Sequence, residues 1–220
     1  MNKLATIIIP HHNRHDHLKF LLNRIDNSLF DIIVVSGGSF AENCNRGATM
    51  AGTDKLIFAN DDSQPKPTDL TEICRFLNLV DFVGSTQINS KKLKYWGIGF
   101  EYEPKGFHYN QYKPLYYPSI ELVQNRSLFP SGFLFGMNRA VWDKLGGFNT
   151  EFRTGNEDVS FGIRCLQQRV SMCILDLEVY HEESQSEGRF QYVDENTRLL
   201  HEKYSQEYMK KLYESTNYCI

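Results

Sequence analysis

Short apolar runs alternate with segments of helical spacing through the first 85 residues, and this alternation is the feature that most limits the fold. The predicted strands cover residues 5–9, 32–35, 55–59 and 81–85. The predicted helical faces are formed by Leu18, Leu21, Leu22, Ile25 and Leu29 and by Leu70, Ile73, Leu77 and Val80. Because strand–helix–strand units build a parallel sheet with helices on its faces, we expect an α/β fold with a mostly parallel central sheet flanked by helices.

Length, charge and cysteine usage narrow the class of protein further. A chain of 220 residues fits one domain. Its net charge of −3 excludes the broad cationic field of sequence-independent nucleic-acid binding. The amino terminus starts almost at once with a strand pattern, and no apolar run approaches the roughly 18 residues of a membrane span, so neither secretion nor integral membrane insertion is expected. The cysteines show no zinc or disulfide spacing, which predicts a reducing, cytoplasmic compartment. They are Cys44, Cys74, Cys165, Cys173 and Cys219.

Two adjacent carboxylates, Asp61 and Asp62, closely follow the predicted strand at residues 55–59. Open α/β sheets bind their ligands at the carboxyl ends of the strands. Carboxylate oxygens suit Mg²⁺ or Mn²⁺, which complete their shells with water and substrate phosphates, so the pattern predicts a metal site for a nucleotide diphosphate. The alternative is an ordinary turn, because Asn60, Ser63 and Pro65 are also residue types common in turns.

A second pair of carboxylates, Glu157 and Asp158, opens a segment with helical spacing. A carboxylate that is held at a helix start and aimed into a cleft can act as a general base. The alternative is a capping box of Thr154 and Glu157, which accounts for Glu157 better than for Asp158. Further along, His181 follows a predicted strand at residues 172–176. Imidazole is a common ligand of divalent metals, although a lone histidine is more often structural.

Residues 86–130 break the strand–helix rhythm and are rich in Tyr, Lys, Asn and Pro. The aromatic residues of this segment include Trp96, Tyr102, Phe107, Tyr109, Tyr112, Tyr116 and Tyr117. Aromatic faces stack on sugar rings or bases, and long loops inside compact domains are usually lids or binding loops. We therefore predict a functional loop here. The alternative is that the aromatic side chains cover the core of an irregular strand pair.

Six short motifs of this chain resemble, in their order and spacing, those of family 2 glycosyltransferases of the GT-A fold. The motifs are ATIIIPHHNR (5–14), DIIVVSGGS (31–39), NRG (45–47), FANDD (58–62), GGF (146–148) and ED (157–158). The resemblance extends over roughly residues 4–185. It implies a metal-dependent, inverting glycosyltransferase that moves a sugar from a nucleotide-diphosphate sugar to an acceptor hydroxyl.

The resemblance also implies roles for individual residues. Asp158 would be the general base, with Glu157 beside it, and Asp62, Asp61 and His181 would be ligands of Mn²⁺ or Mg²⁺. The residues implied around the nucleotide are Pro10, His11, His12, Asn13, Arg14, Ser36, Gly37, Asn45, Arg46, Asn60 and Asp61.

Two positions depart from the pattern of that family. Ser36 and Gly37 stand where the family commonly has an acidic pair, so no carboxylate is available there to accept a hydrogen bond from a uracil ring. Donors of the UDP type and of the dTDP type therefore both stay open. Asn60 begins the metal motif in place of an aspartate, which leaves two carboxylates in sequence and makes a third ligand depend on His181 or water.

The organisation implied by the resemblance is a single GT-A domain over residues 1–220. Its parts are a nucleotide-sugar-binding half at 1–85, an aromatic-rich loop or acceptor segment at 86–130, a catalytic and acceptor half at 131–190, and a C-terminal helix at 191–220. The acceptor stays open among a glycan, a glycolipid, another hydroxyl and a nucleic acid. We expect a cytoplasmic protein; a peripheral position at a membrane, or a host cell if the chain is viral, also stays open.

Two other functions fit parts of the sequence. A sugar nucleotidyltransferase also combines a parallel nucleotide-binding half with a carboxylate-bound metal. It needs a glycine-rich, basic phosphate loop after the first strand, where this chain has Pro10, His11 and His12. A non-catalytic carbohydrate- or metal-binding module is suggested by these histidines, by His15 and His17, and by the aromatic segment. The histidine cluster lacks a recognisable zinc spacing.

Overall fold

The computed structural model describes residues 2–13, 15–101, 106–109, 127–182, 191–205, 207–209 and 211–212. Its strands form a mixed eight-stranded sheet and a separate three-stranded sheet. The strands are β1 (Ala5–Pro10), β2 (Phe30–Val35), β3 (Lys55–Ala59), β4 (Ser63–Gln64), β5 (Phe82–Ile88), β6 (Lys94–Tyr95), β7 (Ile98–Glu101), β8 (Gly106–Tyr109), β9 (Ser127–Phe129), β10 (Leu134–Asn138) and β11 (Met172–His181). The helices are α1 (His15–Leu22), α2 (Phe40–Met50), α3 (Pro67–Phe76), α4 (Arg139–Leu145), α5 (Glu157–Gln167) and α6 (Val193–Lys203). The fold is therefore mixed α/β.

The predicted parallel arrangement is found in β2, β1 and β3, which lie side by side in that order. All six residues of β1 are buried, because this strand has a neighbour on each side and helices over its faces. Helix α2 begins with a capping box between Ser39 and Glu42. Helix α1 ends at Leu22, so Ile25 and Leu29 of the predicted helical face lie beyond it.

The middle of the large sheet departs from the prediction, because β10 runs antiparallel to both of its neighbours, β3 and β5. Strands β1, β2, β3, β5 and β11 share one direction, and β4, β6 and β10 run the opposite way. The chain enters β10 from the small sheet and not from a crossover helix, so the preference for parallel neighbours does not extend to it. The sheet is therefore mixed, but five of its eight strands share one direction, so the expectation of a mostly parallel sheet holds in part.

Residues 86–130 contain more regular structure than the predicted loop. β5 continues to Ile88 and pairs with β6, and β7 pairs with both β8 and β9 to form the small sheet. The side chain of Trp96 is buried. Within the described residues, the burial of Trp96 agrees with the alternative that the aromatic side chains cover the core of an irregular strand pair. Four of the aromatic residues named in the prediction lie outside the described residues: Tyr102, Tyr112, Tyr116 and Tyr117.

The second half of the chain completes the large sheet and its cover. Helix α4 ends at Gly146, which takes a left-handed conformation with φ 75° at its C-cap. The strand predicted at residues 172–176 continues as β11 to His181, with an irregularity in its pairing to β5 between Leu175 and Val179. Among the described residues, no helix combines the length and the apolar character needed to cross a membrane.

The cysteines of the described residues serve the core. Cys44, Cys74 and Cys165 are buried, and Cys173 is half-buried. Burial raises the pKa of Cys74 and of Cys173 to about 11 and the pKa of Cys165 to about 12. Thiols with these pKa values stay protonated at neutral pH and are poor nucleophiles. Cys219 lies outside the described residues.

The close packing of α5 on β9 leads to a first prediction, on stability. A Cβ atom at Gly162 of α5 would lie 2.3 Å from Cδ2 of Phe129, whose side chain is fully buried. We expect Gly162→Ala to lower the free energy of unfolding by about 1–3 kcal/mol, because overpacking outweighs the gain in helix propensity of about 1 kcal/mol. Urea denaturation measures this change.

Gly52→Ala is the matched control, because a Cβ atom at Gly52 would have no atom within 4 Å apart from those of residue 52 and its two chain neighbours. Its unfolding free energy should stay within about 0.5 kcal/mol of the wild-type value. A Gly162→Ala protein as stable as the wild type would contradict the packing described for α5.

Candidate functional site

Two histidines, one directly after β1 and the other at the end of β11, face the two carboxylates that follow β3. His11, directly after β1, places Nδ1 2.7 Å from Oδ2 of Asp61. His181, the last residue of β11, places Nε2 3.1 Å from Oδ1 of Asp62. Strand β4 makes the second contact possible, since Ser63 pairs with His181 and so carries Asp62 to the end of β11. Four residues from three separate parts of the sequence therefore meet at one edge of the sheet.

The ring of His181 is held in one orientation. Its Nδ1 lies 3.2 Å from Oε1 of Gln87, and its face stacks on Phe133 with ring centroids 4.9 Å apart. An amide oxygen can only accept, so Nδ1 carries the proton that it donates to Gln87. In a neutral ring the lone pair of Nε2 then points toward Asp62 and toward Nδ2 of Asn60, which is 3.3 Å away.

The pair of Asp62 and His181 fits a divalent cation such as Mn²⁺ or Mg²⁺. Adjacent ligands in an octahedral shell with bonds of about 2.1 Å lie about 3 Å apart, which matches the 3.1 Å between the carboxylate oxygen and the imidazole nitrogen. The amide oxygen of Asn60 is buried nearby and has no hydrogen-bond partner. Among the described residues, no group of three or more His, Cys, Asp or Glu side chains is close enough to hold a metal. Water and substrate oxygens would have to complete the shell.

Asp61 has a different neighbourhood from Asp62. Its Oδ2 accepts from the backbone N–H of His12 at 3.3 Å and faces His11 at 2.7 Å. Nε2 of His11 in turn lies 3.4 Å from Nδ1 of His15. The structure thus connects Asp61 to the loop after β1, one of the segments implied for the nucleotide, and pairs it with a histidine other than His181.

The carboxylate of Asp158 accepts two backbone hydrogen bonds at the start of α5. Gly132 donates to its Oδ2 at 3.1 Å, and Val159 donates to its Oδ1 at 2.9 Å. A Cβ atom at Gly132 would lie 3.2 Å from Cβ of Asp158, so the glycine permits this close approach. The two bonds fix the direction in which the carboxylate points.

The capping box predicted for Thr154 and Glu157 is wrong. The N-cap of α5 is Asn156, in a left-handed conformation with φ 67°, and it makes no side-chain cap hydrogen bond. Glu157 is therefore the first helical residue and not the third, as a capping box requires. Glu157 is buried, and its carboxylate adds to the effect of burial in raising the pKa of the Cys44 thiol. The sequence indicated no structural contact for Asp158, but its carboxylate accepts the hydrogen bonds from Gly132 and Val159.

A three-residue segment, 131–133, connects the two sets of candidate groups. Gly132 donates to Asp158, and the ring of Phe133 stacks on His181. The carbonyl of Phe133 accepts from the backbone N–H of Asn60 at 2.8 Å. The segment therefore contacts the candidate base on one side and the Asp62 loop with its histidine on the other.

The loop after β2 opens onto a cleft of about 310 Å³. Its lining residues are Gly37, Gly38, Glu42, Asn45, Arg46 and Thr150. The guanidinium of Arg46 donates to the carbonyl of Ser36 and to Oδ1 of Asn43. The amide of Asn45 instead joins α2 to Phe148, since its Nδ2 donates to the Phe148 carbonyl and its Oδ1 accepts from the Phe148 N–H, both at 2.9 Å.

The remaining residues implied for the nucleotide lie at the end of β1. Pro10 is the last residue of β1 and pairs with Val35 of β2. His12 and Asn13 are exposed, and Asn13 has a left-handed backbone with φ 57°. Arg14 lies outside the described residues.

Gln87 and Phe133 were not singled out from the sequence, although both contact His181. A signal for Gln87 was present. Ser85, Thr86 and Gln87 are three consecutive polar residues in a strand that is otherwise apolar, and all three are buried. Buried polar side chains are normally hydrogen-bonded, so such a run indicates a network of contacts. No comparable signal distinguished Phe133 from other core aromatics.

No family model and no curated protein matches the sequence of this chain. Solved structures of S. aureus TarS are similar in fold. S. aureus TarS 1-349 has a TM-score of 0.59 at 14% identity, with 90% of this chain and 64% of that chain covered. A longer S. aureus TarS structure gives 0.60 at 16% identity, with 92% and 39% covered. S. aureus TarS 1-349 in complex with UDP gives 0.61 at 14% identity, with 96% and 70% covered. The chain thus spans less than two thirds of the first two structures, and the similarity shows that it has their fold.

Proposed function

We propose that this chain is a glycosyltransferase that moves a sugar from a nucleoside-diphosphate sugar to an acceptor hydroxyl with inversion at the anomeric carbon. The observation that carries the proposal is the contact of one segment, 131–133, with Asp158 on one side and with His181 and the Asp62 loop on the other. A carboxylate base and a cation-binding pair beside each other are the two groups that this reaction requires. The similarity in fold to a TarS structure in complex with UDP supports a nucleoside diphosphate as ligand.

Asp62 and His181 are the residues that would hold Mn²⁺ or Mg²⁺. A bound cation neutralises charge on the diphosphate leaving group. Gln87 would keep the His181 ring in the tautomer whose Nε2 carries no proton, through the contact at Nδ1. Asp61 would act on the nucleotide side of the site through the loop after β1, because it is bonded to His11 and His12.

Asp158 would act as the general base. The acceptor oxygen forms a bond to the anomeric carbon while the bond from that carbon to the diphosphate oxygen breaks. The acceptor proton passes to the Asp158 carboxylate, and the nucleoside diphosphate leaves with the bonding electron pair. A single displacement of this kind inverts the configuration at the anomeric carbon, whereas retention requires a second event on the same face. The two backbone hydrogen bonds to Asp158 would keep its carboxylate aimed at the acceptor.

A screen of nucleotide sugars by thermal unfolding, with and without Mn²⁺, tests the proposal at the level of binding. A ligand that binds only the folded state raises its stability by about 2.7 kcal/mol at a concentration of 100 Kd. We expect nucleoside-diphosphate sugars to raise the melting temperature more in Mn²⁺ than in its absence. Nucleoside monophosphates should raise it less, because they lack the diphosphate. The proposal would be contradicted if neither the nucleoside diphosphates nor the nucleoside-diphosphate sugars shifted the melting temperature.

A second prediction concerns the nucleobase of the donor, uracil or thymine. Gly37 and Gly38 at the cleft have no side chains that could exclude the methyl group of thymine, and no carboxylate stands at position 36 or 37 to bind a ring N–H. We expect the dissociation constants of dUDP and dTDP, measured by calorimetry in Mn²⁺, to differ by less than about tenfold, or 1.4 kcal/mol. UDP measured beside dUDP reports the effect of the ribose 2′-hydroxyl separately. A preference for dUDP over dTDP above about a hundredfold, or 2.7 kcal/mol, would show that another group reads the base.

A further inference from the structure

Helix α6 contacts the loop that leads into α5 through one buried side chain. Asn196 is 1% exposed, and its Nδ2 donates to the carbonyl of Thr154 and to the carbonyl of Gly155, both at 2.9 Å. Both partners are acceptors, so the amide is oriented with its nitrogen toward the loop. An amide nitrogen carries two hydrogens, and each of them has one carbonyl.

The loop at residues 154–156 requires an external support because its backbone is unusual. Gly155 has φ 97°, and Asn156, the next residue, has φ 67°. A left-handed conformation is costly for a residue with a side chain unless the surroundings fix it. Asn156 is the N-cap of α5 without a side-chain cap hydrogen bond, so the side chain that usually fixes a helix start does not do so here. The two hydrogen bonds from Asn196 act on the carbonyls directly before this residue.

Two weaker contacts align α6 with the same loop. Nζ of Lys203 lies 2.6 Å from Oε2 of Glu151, and the guanidinium of Arg153 lies 5.0 Å from the ring centroid of Tyr192. The carboxylate of Glu151 is largely exposed, and exposed ion pairs contribute little to stability. The hydrogen bonds of Asn196 are buried and directional, so we infer that the position of the loop depends mainly on this residue.

We propose that Asn196 is a positioning residue that fixes the left-handed turn at Gly155 and Asn156 and thereby places the carboxylate of Asp158 against the N–H of Gly132. The positioning of Asp158 by Asn196 involves only contacts between residues of this chain. The effect on catalysis rests on the proposed function, because it requires that Asp158 act as the base. Asn196 contacts neither Asp62 nor His181, so donor and metal binding should not depend on it.

Asn196→Asp tests the inference with almost no change in shape. Aspartate has the size of asparagine but no hydrogen to donate, and it turns an acceptor toward two carbonyls. Loss of buried hydrogen bonds of this kind corresponds to roughly a ten- to hundredfold change in a local equilibrium. Arg198→Ala is the matched control, because Arg198 lies on the same helix, is exposed, and pairs with Glu202 instead of the loop. Asn196→Gln keeps the two N–H donors, so its effect on the loop should be smaller than that of Asn196→Asp.

The primary readout is hydrogen exchange of the Gly132 amide followed by NMR, since that N–H donates to Asp158. We expect Asn196→Asp to speed its exchange by at least about tenfold relative to the wild type, with Arg198→Ala unchanged. In kinetics, kcat should fall by about tenfold or more while the KM for the donor and the affinity for UDP in Mn²⁺ stay at wild-type values. If Asn196 had a merely structural role, the variant would change kcat together with the KM and the UDP affinity, or would change none of them.

Wild-type exchange at Gly132 in an Asn196→Asp protein would overturn the inference. If Asn196→Asp does not fold, Asn196→Ser, which keeps one donor, is measured in its place and should give an intermediate exchange rate; a wild-type rate overturns the inference there as well. The exchange measurement needs no activity. Faster exchange at Gly132 in a protein without transferase activity would therefore uphold the positioning role while contradicting the proposed function.

Discussion

Asp158→Asn should lower the rate of sugar transfer by roughly two to four powers of ten, the usual contribution of a positioned general base. Asparagine keeps the shape of the side chain and one acceptor oxygen. It can therefore retain one of the two hydrogen bonds from Gly132 and Val159, and the variant should fold. Binding of UDP in Mn²⁺ should be unchanged, because the base contacts the acceptor and not the nucleotide. Transfer kinetics, calorimetry and thermal melts on the same preparation measure the three quantities.

Glu157→Gln is the control for this prediction. Glu157 is the first residue of α5, so removing its charge should cost about 0.3–1 kcal/mol of interaction with the helix dipole. Its rate of transfer should fall much less than that of Asp158→Asn. The opposite order, with Asp158→Asn near the wild-type rate and Glu157→Gln strongly impaired, would exchange the roles of the two carboxylates.

Asp62→Ala should abolish the part of UDP binding that depends on Mn²⁺. In the wild type we expect calorimetry to show tighter UDP binding with Mn²⁺ than without it. In the variant the two affinities should be equal, because the carboxylate that faces His181 is gone. We expect the turn after β3 to tolerate alanine at this position, so the melting temperature without ligand should change little.

Two further variants separate Asp62 from its neighbours. Asp61→Asn should keep the dependence on Mn²⁺, because Asp61 is paired with His11 and not with His181. His181→Ala should weaken the dependence of UDP binding on Mn²⁺ less than Asp62→Ala does, if the imidazole is the auxiliary ligand. An Asp62→Ala protein that still binds UDP more tightly in Mn²⁺ would contradict the role of Asp62, and an unchanged His181→Ala protein would make His181 a structural residue.

The sequence predicts the fold best where its contacts are local. Apolar periodicity located β1, β2, β3 and the helix α1, because the three strands lie side by side and are close to one another along the chain. Strand β10 was not predicted to run antiparallel to its neighbours. It lies between β3 and β5, and its direction depends on the path of the chain through the small sheet, which leaves no periodic signal.

The candidate site shows the same limit. The carboxylates Asp62 and Asp158 were identified because one closely follows a strand and the other lies at the start of a helix, which are local patterns. Their partners His181 and Gly132 lie far away in the sequence, and only the sheet register and the close approach of a glycine bring each pair together. The capping box failed for a local reason, since two left-handed residues before α5 move the start of the helix away from Thr154.

Phosphorus NMR of the protein mixed with a panel of nucleoside-diphosphate sugars and Mn²⁺ tests the central proposal most directly, because it identifies which bond is broken. We expect a sugar donor to be converted to its nucleoside diphosphate, slowly with water as acceptor and faster when an acceptor is supplied, and we expect Asp158→Asn to suppress this conversion. With pyrophosphate added, formation of a nucleoside triphosphate and a sugar 1-phosphate would instead show a nucleotidyltransferase. Unchanged spectra throughout the panel, from a protein that binds zinc or carbohydrate tightly, would contradict catalysis and favour a binding module.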